Sequence, residues 1–125
     1  MSNETPSPLP DRDDRLYLVD MVEFCERVLA YSAGHDQASL LADRMRYDAV
    51  LRNLELIGEA ATHVPENLRQ LAPAIAWRQI VGTRNRLAHA YLGIEPDTLW
   101  FIVSGSVPTS LAQLRELLSR LPPAA

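Results

Sequence analysis

The chain of 125 residues has no lysine, so all twelve of its fixed positive charges are guanidinium groups. A guanidinium is planar, always charged and matched to bidentate contact with phosphate, although the absence of lysine by itself assigns nothing. There is one cysteine, Cys25, which excludes an intramolecular disulfide and fits a reducing compartment. Cys25 lies among Val22, Phe24, Val28 and Leu29 and is expected in the core. No run approaches the roughly 20 apolar residues that span a bilayer, so no membrane segment is expected. The opening MSNETPSPLPDRDD has neither a basic stretch nor an apolar stretch, so it does not read as a secretory leader, and the cytoplasm is the expected location. Aromatic residues are few, with two Phe, two Trp and four Tyr, so no platform for stacking several bases is visible. The histidines His35, His63 and His89 have no metal-ligand spacing, so neither a metal site nor a cofactor is expected.

Composition points to one folded domain. Hydrophobic residues make up 47% and charged residues 22%, and the length suffices to bury a core without metals or disulfides. The formal charge of −4 argues against a general nucleic-acid binder. That charge is uneven. Residues 1–43 carry three arginines and nine acids, whereas residues 44–86 carry seven arginines and four acids. The basic excess is therefore confined to the middle of the chain.

No segment sustains a period of two, and the apolar spacing is helical almost throughout. Residues 1–12, rich in proline, read as a disordered tail, residues 13–121 as the domain, and 122–125 as a short C-terminal tail. A first helix is expected from Asp13 to Ser32, with Leu16, Val19, Val22, Cys25 and Leu29 inward and Gly34 ending it. A second is expected from Gln37 to Thr62, with Val50, Leu54, Ile57 and Ala61 as its apolar stripe and Asp48, Arg52, Glu55 and Glu59 nearly opposite. A short turn comes next, from Glu66 to Leu71. A third helix is expected from Ala76 to Leu92, closed by Gly93, and a fourth begins at Pro96 and is kinked or split by Pro108. The expected class is all-α, an antiparallel bundle of four to five helices.

The third helix carries an anomaly. At about 100° per residue, Trp77, Ile80, Val81, Leu87, Ala88 and Tyr91 share one side, and Arg84 falls at its centre. A guanidinium aimed into an apolar stripe is costly unless it is paired. Arg84 is therefore expected to meet a carboxylate such as Glu55 or Glu59, to reach an edge, or to line a cleft that receives an anion. His89 lies about 140° further round, with Arg78, Gly82 and Asn85 as its neighbours by angle. A histidine can move protons near neutral pH, and an arginine can stabilise charge developing on phosphate oxygens. In RNA the nucleophile is already present as the neighbouring 2′-hydroxyl. Two copies of this helix facing each other across a two-fold axis would supply enough groups for phosphodiester cleavage without a metal.

The string Arg84-Asn-Arg-Leu-Ala-His89-Ala-Tyr91 resembles the Arg-x4-His-x-Tyr motif of the HEPN superfamily, in particular of the HepT-like toxin ribonucleases. Arg52-Asn-Leu-Glu-Leu-Ile-Gly-Glu-Ala60 resembles that family's mid-chain signature. Trp77, Ile80, Gly82, Arg84 and Asn85 match the lead into the motif, and Leu99-Trp100 match the segment downstream of it. The resemblance spans roughly residues 13 to 121. It implies a helical homodimer that cuts RNA without metal, with Arg84 and His89 catalytic and Asn85 the polar residue beside the arginine. It also implies, as a partner, a nucleotidyltransferase antitoxin similar to MntA that attaches AMP to Tyr91. Arg78 and Arg86 are candidate contacts to the RNA backbone. The competing expectation is a non-catalytic HEPN module that binds a nucleotidyltransferase or a nucleotide and cleaves nothing, which the net negative charge favours.

Overall fold

In a computed structural model, residues 12–89 and 94–123 are described, with side chains from residue 14. Among them there is no strand. The chain forms α1 (Arg12–Ser32), α2 (Gln37–Ala42), α3 (Arg44–Thr62), α4 (Glu66–Arg69), α5 (Trp77–His89), α6 (Pro96–Phe101), a π-helical turn (Ile102–Ser106) and α7 (Val107–Arg120). The all-helical class agrees with the apolar spacing, and the helical segments outnumber the four to five expected. No helix among the described residues is long and apolar enough to cross a membrane. The N-terminal expectation falls on residues outside those described, except that Arg12 already opens α1.

The core forms where α1 packs on α3 and α7 and where α3 packs on α5. Leu18, Met21, Cys25 and Val28 of α1 meet Val50, Leu54, Ile57 and Ala61 of α3 and Leu114 and Leu117 of α7 in one cluster. The stripe expected for α3 is thus fully buried. The stripe expected for α1 is out of phase at its start, since Leu16 and Val19 are exposed while Leu18 and Met21 are wholly buried. Steps of three and four from Cys25 lead back equally to Leu18 through Met21 or Val22, and the packing partner decides between them.

The expected second helix is two helices. Asp43 has extended backbone angles (φ −94°, ψ 91°) and serves as the last cap of α2 and the first cap of α3. Its carboxylate accepts from the Arg46 backbone N–H at 3.1 Å and faces Arg46 Nε at 3.3 Å. A short acidic side chain that caps its own backbone competes with helix continuation, which is why the run breaks there. Asp36 caps α2 in the same way, in a reciprocal box with Ser39.

Pro108 lies where the expected fourth helix is divided into α6, the π-helical turn and α7. It sits in the first turn of α7, directly after the π turn. Proline cannot donate to the carbonyl four residues back and its ring crowds that carbonyl, so a widened turn upstream is the physical accommodation. The third helix starts at Trp77 and is described to His89. Gly93, its expected closing residue, lies outside the described residues. Trp77 is anchored by its indole N–H, which donates to the Ala72 carbonyl at 3.1 Å. The loop before it is held by Arg120 on the Leu71 carbonyl (3.1 Å) and Gln113 on the Ala74 carbonyl (3.2 Å).

Candidate active site on the third long helix

The site is built on the contact between α3 and α5. Gly58, buried near the C-terminal end of α3, sits directly beneath Arg84 of α5. A Cβ at position 58 would overlap the Cβ of Arg84 and come within 2.9 Å of the Ile80 carbonyl oxygen. Only glycine allows the two backbones this close, and the close approach sets where the Arg84 side chain starts.

The Arg84 guanidinium is then fixed from two sides. Its Nη2 lies 2.6 Å from Oε2 of Glu59, and its Nη1 donates to Oδ1 of Asn85 at 2.9 Å. Its side chain is 32% exposed and that of Glu59 46%. Arg84 is thus neither sunk in the core nor splayed into water, and the carboxylate expected to meet it is Glu59. Glu55 instead pairs with Arg52 at 3.4 Å. The polar stripe of α3 is therefore not simply a solvated face, since Glu59 turns toward α5.

Glu59 has a second neighbour. Its Oε1 lies 3.5 Å from Nε2 of His63, whose ring stacks on Tyr17 of α1 with centroids 4.9 Å apart. Glu59 thus bridges the end of α3 to Arg84 of α5, and His63 carries the contact on to α1. Tyr17 was not legible as part of this cluster, because tyrosine on an amphipathic helix carries no distinguishing signal. Gly58 did carry one. A glycine inside a helical pattern costs stability and so points to a packing reason, which at Gly58 is the approach of α5.

His89 is exposed at the last position of α5, and Arg86 is exposed in the same turn. Tyr91, the expected modification site, lies outside the described residues. The α5 face that carries His89 by angle opens into a groove. Arg78, Gly82 and Asn85 line it from α5, facing Thr62, Glu66, Arg69 and Gln70. Its volume is about 700 Å³. A smaller cavity of about 190 Å³ lies on the other side of α5, lined by Ile80 and Thr83 together with Cys25 and Ser110. Ala88, expected on the buried stripe, is exposed. Among the described residues no group of three His, Cys, Asp or Glu side chains could hold a metal ion.

Residues 21–117 match the family described as ribonuclease HepT-like. The chain belongs to the HepT-like ribonuclease family. Among its relatives is a protein of Methanocaldococcus jannaschii named as a candidate RNase, 36% identical over 78% of this chain and 89% of the relative. Another is a protein of Thermococcus cleftensis named as a candidate ribonuclease HepT, 32% identical over 85% of this chain and 96% of the relative. A second Methanocaldococcus jannaschii protein named as a candidate RNase is 30% identical over 88% of this chain and 91% of its own. No solved structure matches. The HepT-like match covers the whole α3–α5 contact, including Gly58, Glu59 and Arg84.

Proposed function

We propose that this protein is a metal-independent endoribonuclease that acts as the toxin of a toxin–antitoxin pair. The reading rests above all on Arg84, a partly exposed guanidinium held between Glu59 and Asn85, the second of which lines an open groove, in a chain of the HepT-like family. A buried structural ion pair would need no exposure and no groove.

The chemistry is set by the groups at hand. The substrate's 2′-oxygen attacks the adjacent phosphorus and loses its proton to an imidazole. The bond from phosphorus to the 5′-oxygen breaks, and that oxygen takes a proton from an acid. The products are a 2′,3′-cyclic phosphate and a free 5′-hydroxyl. Arg84 stabilises the extra negative charge on the phosphate oxygens during attack. His89 moves protons. A homodimer that brings two copies of His89 to one cleft lets one imidazole act as base while the other acts as acid. Asn85 holds the guanidinium, and Arg78 and Arg86 contact the RNA backbone. The antitoxin is a nucleotidyltransferase that adds AMP to Tyr91 and so blocks the cleft.

The test is cleavage of RNA by the purified protein in EDTA, with wild type beside His89→Ala and with product ends identified. Cleavage that leaves cyclic phosphate and is lost in the variant supports the reading. No cleavage by protein whose Tyr91 is unmodified by mass would favour the non-catalytic partner module.

A further inference from the structure

We infer that the groove between α5 and the α4 region is a subsite for one unpaired RNA nucleotide next to the scissile phosphate. The inference rests on the nuclease reading above and extends it to substrate recognition. Three observations carry it. The first is position. Arg78, Gly82, Asn85 and His89 succeed one another at steps of four, three and four, so they share one face of α5. Three of them line the groove, and the face continues to His89 at the end of the helix. Asn85 also holds Arg84, so the groove and the candidate catalytic arginine share a wall.

The second observation is charge. The chain carries a formal net charge of −4, yet the charged residues lining this groove are Arg69, Arg78 and Glu66, a local excess of one positive charge. Arg69 is fixed there, donating through Nε and Nη2 to the carbonyls of Val64 (3.0 Å) and Ala61 (2.7 Å), with its guanidinium 5.6 Å from the centre of the Trp77 ring. A phosphodiester entering the groove meets a held cation and an exposed one, Arg78.

The third observation is the lining. Val81 and Pro73 give apolar surface that suits the face of a base. Gln70 and Asn85 are amides, each carrying donors and an acceptor that suit a base edge. At Gly82 an added Cβ would meet nothing within 4 Å. The helix backbone is therefore open to the groove, where a side chain would occupy the space. The groove is open to solvent, with a volume of about 700 Å³, which leaves room for a nucleotide to enter without displacing the chain. Single-stranded RNA is favoured over duplex, because a duplex does not present an unstacked base to a pocket.

Gly82 provides a test that should leave the fold intact. Gly82→Leu fills the groove from open space and replaces a helix-interior glycine with a good helix former. Gln70→Glu places a negative charge in the same groove from an exposed position. The probe is a fluorescent hexanucleotide carrying 2′-O-methyl groups, which removes the nucleophile, with binding followed by anisotropy at low salt. Thermal unfolding is measured alongside. The expected result is a dissociation constant raised about tenfold or more by each variant, at wild-type or higher thermal stability. If wild-type protein cleaves RNA in EDTA and binds the probe, but both variants bind it as wild type does, the groove is not a subsite and the nuclease reading stands. If wild-type protein neither cleaves RNA nor binds the probe, the nuclease reading falls and the subsite falls with it.

Discussion

Gly58→Ala is the perturbation that tests the α3–α5 contact most directly. In an isolated helix the change is favourable by about 0.5–1 kcal/mol, because alanine loses less backbone freedom. Here the new methyl has no room. It would overlap the Arg84 Cβ and press on the Ile80 carbonyl oxygen at 2.9 Å, and neither atom is the far end of a flexible side chain. The helices must move apart, and overpacking of this kind costs about 1–3 kcal/mol. With clashes at two fixed atoms the upper part of that range applies, leaving a net loss of about 2 kcal/mol. For a domain of this size that is a fall in Tm of about 8 °C. Urea unfolding followed by circular dichroism measures it, with Gly82→Ala as the comparison. Position 82 has open space, so alanine there should be neutral or stabilising by up to about 1 kcal/mol. A Gly58→Ala protein as stable as wild type would refute the claim that glycine is required for the close approach. If the claim holds, the variant should also lose RNA cleavage beyond its loss of folded protein, because the shift displaces the base of the Arg84 side chain.

Two further outcomes concern ionisable groups. Burial pushes the Cys25 thiol up to about 12, with Arg115 opposing and Glu26 assisting. It should therefore react with iodoacetamide at pH 8 far more slowly in native protein than in denaturant, and stability should fall as pH rises above about 9, where the unfolded chain ionises its thiol and the folded chain does not. Asp36 and Asp43 are held below the ordinary carboxylate range, first by the backbone N–H groups of Ser39 and Arg46 respectively. Their contribution is present above the unfolded value near 3.8 and is lost as pH falls through the lower folded values. Asp43→Asn, which keeps a capping oxygen, should remove part of that acid sensitivity in pH-dependent thermal unfolding while α3 still forms.

The sequence was most legible where one physical rule acted alone. Val50, Leu54, Ile57 and Ala61 obey helical spacing and are all buried. It was less legible where two rules competed. Asp43 lies inside a continuous helical pattern, and only its side chain's grip on the Arg46 N–H makes it a boundary. The start of α1 offers two apolar phases, and contact with α3 and α7 selects Leu18 and Met21 over Leu16 and Val19. Pro108 signalled a kink or a split, and the helix is divided by a π turn just before it, a form that the proline alone does not specify. In the site, Arg84 stood out because its charge contradicted its place on the wheel. Glu59 could be named only as one of two carboxylates, since the choice depends on how α3 is rotated against α5. Tyr17 and Gln70 enter through contacts between separate elements, which spacing within one helix cannot reveal, whereas His63 stands four residues after Glu59 and was within reach of that spacing.

Arg84→Leu separates the structural from the chemical role of that residue. As a structural ion pair, Arg84 and Glu59 are too exposed to contribute much. Pairs of this kind are worth about 0–1 kcal/mol once water screens them. Leucine restores apolar surface beside Ile80 and Leu87, which offsets that loss, so stability should change by no more than about 1 kcal/mol in either direction. Removing a donor that stabilises developing charge costs about 10²–10³ in rate. The expected variant is folded, equally soluble and at least about 100-fold slower in RNA cleavage. Glu59→Gln should fall between wild type and Arg84→Leu, because the amide can still accept a hydrogen bond from Nη2 but no longer holds it by charge. Parallel unfolding and cleavage assays distinguish the two roles. A large gain in stability for Arg84→Leu with unchanged cleavage would mean that the arginine is a poorly tolerated ion in a structural seam. The order wild type, Glu59→Gln, Arg84→Leu in rate at nearly constant stability would mean that α3 exists, at this point, to aim a guanidinium.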